Sequence, residues 1–407
     1  MKIAIISSLY GIEGGGSGVI AQHLVHGLLD IGHEVFVITM GKTRHYTIEE
    51  EQGVKIYRFL PINLYSLEEK DMHPIWLKII WQLIDIYNIH SASVFHQILL
   101  NEVPDIIHIN KMRGFSGAVW SVSSHLYPGR VIQTCHDYES MSPDGIMRGL
   151  IGKMARDKKW PVRGYQIIRA RLSSNVSIVT SPSKFTLERI TDSGMFSYAH
   201  ASVIPNTHGW SNTELKAIRS KNCSTTSESG VRYLFIGRLE TEKGINELCE
   251  AFSQLFAFYP SIHLDIAGYG TLDNSLRKKY KDHPGIHFLG LVDGQSKKDA
   301  FSRTTVVVVP SLVDEVFGLI VVEAFAFGKP VIASNIGGLP ELVHDTETGW
   351  LVEPGNVQSL REKLESVIKL EPELLDTISK NCKKFSFEYS REKVINKYEE
   401  TYSQLLQ

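Results

Sequence analysis

The chain has 407 residues, of which 43% are hydrophobic and 22% are charged, and its formal net charge is -2. This composition is typical of a soluble globular protein, and it excludes the global positive field with which nucleic-acid-binding proteins attract phosphates. The length is too great for one ordinary hydrophobic core, so it predicts two domains.

The first half of the chain contains short β-branched runs separated by longer helical patterns. The runs are KIAIISS, EVFVITM, DIIHIN, VIQTC and SIVTSPS. Their hydrophobicity is continuous rather than alternating, which predicts strands buried on both faces of a parallel sheet. Between them, HPIWLKIIWQLIDIYNIH (73–90) is interrupted by Lys78 and Asp85 and has apolar residues at helical spacing. This pattern predicts an amphipathic core helix and not a membrane span.

The second half repeats the scheme with VRYLFIG, IHLDIAG, IHFLG, TTVVVVPS, PVIAS and GWLVEP. We therefore expect an α/β protein with two doubly wound parallel-sheet domains, in which ligands bind beyond the carboxyl ends of the strands. The polar stretch LKAIRSKNCSTTSESG reads as a linker or surface insertion. The predicted organisation begins with a first domain (1–206), a linker (207–230) and a second domain (231–385). A C-terminal helix (386–407) then crosses back to the first domain.

The four cysteines, Cys135, Cys223, Cys249 and Cys382, are scattered without CxxC or metal-finger spacing. They predict neither a disulfide framework nor a zinc site, and they indicate a reducing, cytoplasmic location.

A glycine cluster follows the first predicted strand, in GIEGGGSGVIAQ. Glycines at the start of a helix let the backbone approach a ligand and leave N–H groups free for an anion, so Gly15 and Gly16 are candidate ligand-binding residues. Gly16, Gly18 and Ala21 also fit G-x-G-x-x-A. However, the second strand ends in TMGK, without the acidic residue that would hold a ribose, which argues against a nicotinamide cofactor.

GRLETEKG (237–244) places Arg238 and Lys243 five residues apart where a strand gives way to a helix. Most turns of mixed charge are simply solvated, and that interpretation is the alternative for this one.

The second candidate site follows the strand TTVVVVPS, in PSLVDEVFGLIVVEAFAFGKP. The spacing places Glu315 in the loop before a helix and Glu323 inside that helix. Backbone N–H groups near Gly318 and Leu319, at the helix start, can hold phosphate oxygens. The alternative is a solvated glutamate and a capping acid, but Glu323 lies in VVEAFAF, and a carboxylate among so many buried residues needs a partner.

These second-domain motifs together resemble the nucleotide-sugar-dependent glycosyltransferases of family 4, which have the GT-B architecture of two Rossmann-like domains. The motifs are GRLETEKG, the E-x7-E of Glu315 and Glu323, and EAFAFGKPVIASNIGGLPELV. GGGSGVIAQHLVHGLLDIGHEV, PDIIHIN, SPSKFTLERI and YSREKVINKYEETYSQLL are also similar to family segments, so the resemblance covers nearly the whole chain. In SVIPNTHGW, Thr207 stands where the family hinge usually has glycine.

The resemblance implies a retaining hexosyltransferase that moves a sugar from a nucleoside-diphosphate sugar to a glycan, lipid-linked or small-molecule acceptor. The first candidate donor is a UDP-sugar and the second is a GDP-sugar. Arg238 and Lys243 would hold the departing diphosphate, and His136 would contact the sugar. The chain has no D-x-D, so no metal or other cofactor is expected. The catalytic residues would be Arg238, Lys243, Glu315 and His136. The donor-binding residues would be Gly15, Gly16, Gly237, Phe317, Gly318, Leu319, Glu323 and Leu291. Alternatives are an epimerase or glycan synthase of the same fold, or a non-catalytic nucleotide-sugar-binding protein.

The segment 148–171 is rich in cations and has a single acid, Asp157. A solvated basic face is one interpretation. The other is peripheral contact with anionic membrane, at the inner face, or with the phosphates of a lipid-linked acceptor, because Trp160, Ile167 and Ile168 interleave apolar groups with the charges. The cations are Arg148, Lys153, Arg156, Lys158, Lys159, Arg163, Arg169 and Arg171.

Overall fold

The computed structural model describes residues 1–11, 15–66, 69, 72–143, 145, 147, 149–220 and 230–406. The chain divides into two units. Unit 1 is Met1–Pro205 with Val394–Gln407, and unit 2 is Asn206–Lys393. Each unit is a Rossmann-like α/β domain built on a largely parallel sheet, and this confirms the predicted fold class.

The sheet of unit 1 is built mainly from the predicted apolar runs. Its strands are β1 (Lys2–Ser7), β2 (Glu34–Met40), β3 (Thr47–Glu51), β4 (Val54–Phe59), β5 (Ile106–Lys111), β6 (Val131–Thr134), β7 (Ile178–Ser181) and β8 (His200–Val203). The strand order is β3-β4-β2-β1-β5-β6-β7-β8. The central strand β1 pairs in parallel with β2 and β5, and its side chains from Ile3 to Ile6 are fully buried, as a strand covered on both faces requires.

One edge of this sheet differs from the prediction. β3 pairs with β4 in an antiparallel hairpin whose two turn residues, Gln52 and Gly53, both have positive φ. Every residue of β3 is exposed, so the strand lacks the apolar run on which the sequence analysis depended. The two-residue turn with positive φ is the type that joins tight hairpins, and Gln-Gly is the sequence signal that we missed.

The helices of unit 1 lie between these strands along the chain. They are α1 (Gly15–Asp30), α2 (Ile75–Ile86), α3 (Ile89–Glu102), α4 (Ala118–Leu126), α5 (Gly149–Arg156), α6 (Val162–Leu172) and α7 (Lys184–Asp192).

The predicted core helix at 73–90 was wrong in two respects. The segment forms α2 and then begins α3, with Asn88 as N-cap, its side chain accepting a hydrogen bond from the backbone N–H of Ser91. α2 also buries Trp81 and Asp85 while most of its apolar side chains are exposed. Helical spacing reveals an apolar stripe, but it does not reveal which side of the helix the protein covers.

Unit 2 has a six-stranded sheet in which the strand pairs are parallel. Its order is β11-β10-β9-β12-β13-β14, formed by β9 (Arg232–Ile236), β10 (His263–Ala267), β11 (Ile286–Gly290), β12 (Val306–Val309), β13 (Val331–Ser334) and β14 (Gly349–Val352). Its helices are α8 (Asn212–Ser220), α9 (Ile245–Phe256), α10 (Asp273–Lys279), α11 (Gly294–Arg303), α12 (Leu319–Ala326), α13 (Val357–Ile368) and α14 (Pro372–Ser386).

The stretch predicted as a linker is partly structured. Residues 212–220 form α8, and its Leu215 is fully buried in the core of unit 2. Ile218 also packs against this core, so two apolar side chains anchor the helix although the segment looks polar as a whole. The rest of the stretch, 221–229 with Cys223, lies outside the described residues.

The final helix, α15 (Arg391–Leu405), packs mainly in unit 1, where Val394, Ile395, Tyr398 and Tyr402 join the core.

Within unit 2, Thr207 Oγ1 donates to the Tyr389 carbonyl at 2.9 Å and accepts from the Gly209 N–H at 3.0 Å. The hydroxyl therefore joins the two stretches of chain that pass between the units, at the position where the family usually has glycine. No helix in the described part of the chain has the length and apolar content that crossing a bilayer requires.

Candidate active site

The loops after β9 and β12 are joined at the carboxyl edge of the unit 2 sheet. β9 and β12 are neighbours in the sheet, and the Leu312 N–H donates to the Glu242 carbonyl at 2.8 Å. Gly244 ends a short 3-10 turn with φ +68, and a Cβ there would overlap the Pro310 carbonyl oxygen. The glycine that closes GRLETEKG is thus required both by backbone conformation and by the close approach of the two loops.

Lys243 and Glu315 meet where these loops join. Lys243 Nζ lies 2.5 Å from Glu315 Oε1, and Ser311 Oγ donates to the same oxygen at 2.6 Å. Burial alone would raise the pKa of Glu315, but the Lys243 ammonium and the two hydrogen bonds outweigh it and hold this pKa below its usual value. The pair therefore consists of an ammonium and a carboxylate, each about one-fifth to one-quarter exposed.

Arg238 is placed differently from Lys243. Its guanidinium side chain is 64% exposed and lies 3.4 Å from Glu242. The preceding Gly237 donates its N–H to the Ala267 carbonyl at 3.0 Å, which fixes the backbone between β9 and β10. An exposed arginine in a single ion pair of this length loses little when it exchanges that partner for a more highly charged anion.

α12 begins directly after the Glu315 loop. Gly318, its N-cap, has φ +100, and a Cβ there would press on Leu339. The Phe317 ring is buried against Tyr389, with ring centroids 5.9 Å apart, so only the backbone of Phe317 can serve a ligand. The Val321 N–H already donates to the Gly318 carbonyl at 2.9 Å, so the N–H groups that α12 offers at its positive dipole end are those of Leu319 and Ile320.

Glu323 is 7% exposed on α12, and its partner is Lys297 of α11. The two charged groups are 2.5 Å apart, between Nζ and Oε1. The sequence analysis predicted that Glu323 needs a partner but did not find Lys297. The lysine lies in the polar segment GQSKKDAFSR, 26 residues away, and only the adjacency of α11 and α12 brings the two side chains together.

Leu291 directly follows β11, after Gly290 with φ +72, and its side chain is 68% exposed. The candidate residues of unit 2 therefore follow β9, β11 and β12, at one edge of one sheet. Lys243 contacts Glu315 directly. Leu291 does not follow a neighbouring strand, because β11 is an edge strand of the sheet.

Gly15, Gly16 and His136 belong to unit 1. Gly15 and Gly16 begin α1 after β1, and the position of a Cβ on Gly16 would be open space. His136 follows β6. β1 and β6 both pair with β5, so these residues share the carboxyl edge of the unit 1 sheet.

His136 is held by a neighbour from β5. Its Nε2 lies 3.0 Å from Asn110 Oδ1, an acceptor, which favours the tautomer with the proton on Nε2. Nδ1 is then a bare acceptor, and it has no hydrogen-bond partner among the described residues. Burial, with a contribution from the Lys111 ammonium, lowers the pKa of His136 to about 4, so the ring is neutral at physiological pH.

A buried cluster of charges lies behind His136, and the sequence analysis did not predict it. Lys111 Nζ bonds to Asp137 and lies 3.5 Å from Glu139 Oε2. Burial raises the pKa of Asp85, on α2, to about 7, although the Arg169 guanidinium opposes the shift. Arg169 itself is buried, which corrects its assignment to the basic surface of 148–171.

The described residues contain no group of three or more His, Cys, Asp or Glu side chains that could hold a metal ion. Cys135, Cys249 and Cys382 are buried free thiols.

Family models match both units. A model described as Glycosyltransferase Family 4 matches residues 14–207, and one described as Glycosyl transferases group 1 matches residues 220–385. An uncharacterized 42.6 kDa protein of the cps region of Klebsiella pneumoniae is 30% identical over 344 residues, which cover 84% of this chain and 87% of that protein. An uncharacterized glycosyltransferase of Methanocaldococcus jannaschii is 27% identical over 378 residues, covering 90% of this chain and 89% of that one.

Solved structures share the fold. Sucrose-phosphate synthase from Thermosynechococcus elongatus has a TM-score of 0.73 at 20% identity, over 100% of this chain and 99% of that one. Anabaena HepE in complex with UDP has a TM-score of 0.70 at 18% identity, over 99% and 100% of the two chains. With a family model on each unit and this fold, the chain belongs to the family 4 glycosyltransferases of the GT-B fold.

Proposed function

We propose that this glycosyltransferase moves a hexose from a UDP-sugar to a hydroxyl of a glycan, lipid-linked or small-molecule acceptor, retaining the anomeric configuration and using no metal. The observation that carries the proposal is the cation cluster at the edge of the unit 2 sheet. Lys243 is fixed beside Glu315, the exposed Arg238 guanidinium comes from the same loop, and the N-terminus of α12 follows. Such a cluster suits a diphosphate.

The difficult step in sugar transfer is the departure of the diphosphate. The bond from the anomeric carbon to the phosphate oxygen breaks, the acceptor oxygen bonds to that carbon, and the acceptor proton passes to the phosphate oxygen on the same face. Negative charge grows on the diphosphate as the first bond breaks. Lys243, Arg238 and the N–H groups of α12 therefore stabilise the transition state more than the bound donor.

The carboxylates have separate roles. Glu323 is nearly buried and held by Lys297, so it accepts hydrogen bonds from the ribose hydroxyls of the nucleotide. Glu315, in the loop, holds Lys243 and faces the sugar. Because Lys243 already has a carboxylate partner, a bound diphosphate shares the Lys243 side chain with Glu315.

His136 acts as a neutral hydrogen-bonding group. With Nε2 donating to Asn110, Nδ1 is a buried acceptor with no partner among the described residues, and we assign it to a hydroxyl of the sugar. A pKa of about 4 means that the ring does not carry a proton to the leaving group at neutral pH. This fits a reaction in which the phosphate itself takes the acceptor proton.

The choice of uridine rests on structural relatives. Structures of Anabaena HepE are in complex with UDP, with UDP and glucose, and with UDP-glucose. The base would contact the backbone near Leu291, and the backbone carries little information about the base, so GDP-sugars are the second candidate donor class.

The contact of 148–171 with anionic membrane also stays a prediction.

The test is a thermal-shift screen with UDP, GDP and their sugars, followed by an assay for release of the nucleoside diphosphate. Ligand at 100 times its Kd adds about 2.7 kcal/mol of stability, which is readily measured. We expect UDP-sugars to stabilise the wild type and UDP to be released, with and without EDTA. NMR of the glycoside would report the anomeric configuration.

Matched variants make the result specific. Lys243→Met should lower the rate of UDP release by about one to two decades. Lys281→Met, which changes an exposed lysine of the same unit, should leave this rate unchanged. Donor conversion without an acceptor being consumed would favour an epimerase, and binding without any turnover would favour a non-catalytic nucleotide-sugar-binding protein. Inactivation by EDTA, restored by a divalent cation, would contradict the metal-independent reaction.

A further inference from the structure

The helix α2 presents its apolar stripe to solvent. At about 100° per residue, five exposed apolar side chains of α2 fall within an arc of about 140°. Each is between 40% and 77% exposed in the whole chain. They are Ile75, Trp76, Ile79, Ile80 and Leu83.

The opposite side of α2 attaches the helix to unit 1. Trp81 is buried and donates its indole N–H to the Tyr65 carbonyl at 2.9 Å. Asp85 is buried beside Arg169 of α6. A surface helix ordinarily buries its apolar stripe and exposes its carboxylates. α2 does the reverse, and contiguous exposed apolar surface of this kind marks a place where something else binds.

A second short helix of unit 1 also exposes apolar side chains. α5 exposes Leu150 and Ile151, at 74% and 42%. It packs on α6, where the Gln166 amide donates to the Ala155 carbonyl at 3.0 Å. α2 packs on the same helix one turn later, at Arg169, so both short helices are supported by α6. Trp160, 71% exposed, lies between α5 and α6 in the chain.

Cations accompany the apolar groups. Lys153, Lys158 and Lys159 are exposed, and Asp157 is the single acid from 149 to 163. Arg163, in contrast, donates to the Ser193 carbonyl at 2.9 Å and is held on the protein. The structure therefore removes Arg163 and Arg169 from the basic surface predicted from the sequence. Besides the three lysines it leaves Arg156 and Arg171 exposed, and Arg148 lies outside the described residues.

We infer that α2, α5 and Trp160, the α2–α5 face, dock this protein on an anionic lipid bilayer. Isoleucine, leucine and tryptophan beside lysine are the composition of helices that lie in the membrane interface. Lysine is depleted from protein–protein interfaces, which makes a protein partner the weaker alternative. α2 has twelve residues and is too short to span the hydrocarbon core, so it lies along the surface.

The test is flotation of the full chain with two kinds of vesicle. One is phosphatidylcholine alone, and in the other phosphatidylglycerol replaces a third of the phosphatidylcholine. We expect binding to the second kind, weakened by salt. Vesicle binding does not depend on sugar transfer. A protein that binds vesicles but transfers no sugar would therefore contradict the proposed function and would still support membrane docking.

Two triple variants separate the contributions. Changing Ile75, Ile79 and Leu83 to serine should lower vesicle binding by more than about tenfold, because the inserting groups are lost. Changing Lys153, Lys158 and Lys159 to glutamine should lower it by about fivefold for each lysine, or roughly 100-fold together, and remove most of the salt dependence. All six side chains are exposed or lie on exposed helix surface, so both variants should melt like the wild type.

Matched controls use the same substitutions elsewhere. Ile48→Ser changes an exposed isoleucine of unit 1, and a triple glutamine variant changes exposed lysines of unit 2. Neither should alter vesicle binding. The three unit 2 positions are Lys278, Lys281 and Lys384.

Insertion has its own readout. Brominated acyl chains in the anionic vesicles should quench tryptophan fluorescence, and the double variant Trp76→Phe, Trp160→Phe should lose most of that quenching. Equal recovery with both kinds of vesicle, or binding unaffected by the serine variant, would overturn the inference. A dimer in sedimentation velocity that the serine variant converts to a monomer, with no vesicle binding, would assign the α2–α5 face to a second copy of the chain.

Discussion

Lys297→Met isolates the ion pair that holds the proposed ribose acceptor. Methionine keeps much of the length of the lysine side chain but removes the ammonium that lies 2.5 Å from Glu323. Glu323 is 7% exposed, so its carboxylate would be left nearly buried without its cation. A hydrogen bond between charged groups contributes about 1.5–3 kcal/mol. Since Lys297 is about a quarter exposed, we expect the loss in unfolding free energy to lie in this range and below the 3–5 kcal/mol of a fully buried pair.

Lys297→Met should lower the free energy of nucleotide binding by less than it lowers the free energy of unfolding. The variant retains Glu323 but no longer fixes its rotamer, and ordering one such side chain costs about 0.5–1.5 kcal/mol on binding. The Kd for UDP, measured by calorimetry, should therefore rise about 2- to 10-fold. Glu323→Ala removes the ribose acceptor altogether and should cost about 1–3 kcal/mol, or roughly 5- to 150-fold.

Lys298→Met is the matched control, since it removes the adjacent ammonium, which is not the partner of Glu323, and should leave UDP affinity unchanged. An unchanged Kd in Lys297→Met together with a weakened Glu323→Ala would refute the positioning role of Lys297. Tighter binding in Lys297→Met would mean that the ion pair competes with the ribose for the carboxylate. Unchanged affinity in both variants would remove Glu323 from the nucleotide site.

Three further predictions concern the loops after β9 and β12. Arg238→Ala and Lys243→Ala should lower kcat by one to two decades, with a smaller effect on the Kd for UDP; a raised KM with normal kcat in both would exclude the catalytic role. The pKa of Glu315 is lowered in the folded state, so its ion pair stabilises the protein above the unfolded pKa of about 4.3, and this contribution is lost as pH falls through the folded value. When the free energy of unfolding is measured by denaturation between neutral and acid pH, it should fall less steeply with acid in Glu315→Gln than in the wild type. Parallel curves of unfolding free energy against pH would contradict this role of Glu315. Gly244→Ala should cost about 1–3 kcal/mol of unfolding free energy, because alanine is strained at φ +68 and its Cβ meets the Pro310 carbonyl; a melting temperature like the wild type's would disprove the close approach.

The sequence predicted what depends on local patterns. Continuous apolar runs located the central strands of both sheets, because a strand covered on both faces has no polar alternation. GRLETEKG and the two glutamates located the loops at the edge of the unit 2 sheet. The contact of Lys243 with Glu315 was not predicted, because it follows from the adjacency of β9 and β12 and neither motif alone contains it.

The features that were missed depend on what a residue faces. β3 has no buried side chain, so hydrophobicity could not reveal it, and only its turn gave a signal. Lys297 lies in a segment that looks wholly solvated, and Arg169 looks like its exposed basic neighbours until α6 packs against the rest of unit 1. For α2, periodicity predicted a helix but neither its end before Asn88 nor its environment, because an apolar stripe looks the same whether protein or another apolar phase covers it.

The position of α15 has a consequence for synthesis on the ribosome. His108, at the centre of the unit 1 sheet, is fully buried, and its Nδ1 lies 2.7 Å from the hydroxyl of Tyr402. Tyr402 and the other residues of α15 that join this core, from Val394 onward, are translated only after all of Asn206–Lys393. Unit 1, although it begins the chain, must therefore wait with an unfilled side of its core while unit 2, whose residues are continuous, can complete its own fold first. Chains that end before residue 394 and have been released from the ribosome should have a protease-resistant unit 2 and a protease-sensitive unit 1, the reverse of the order in which the two are made.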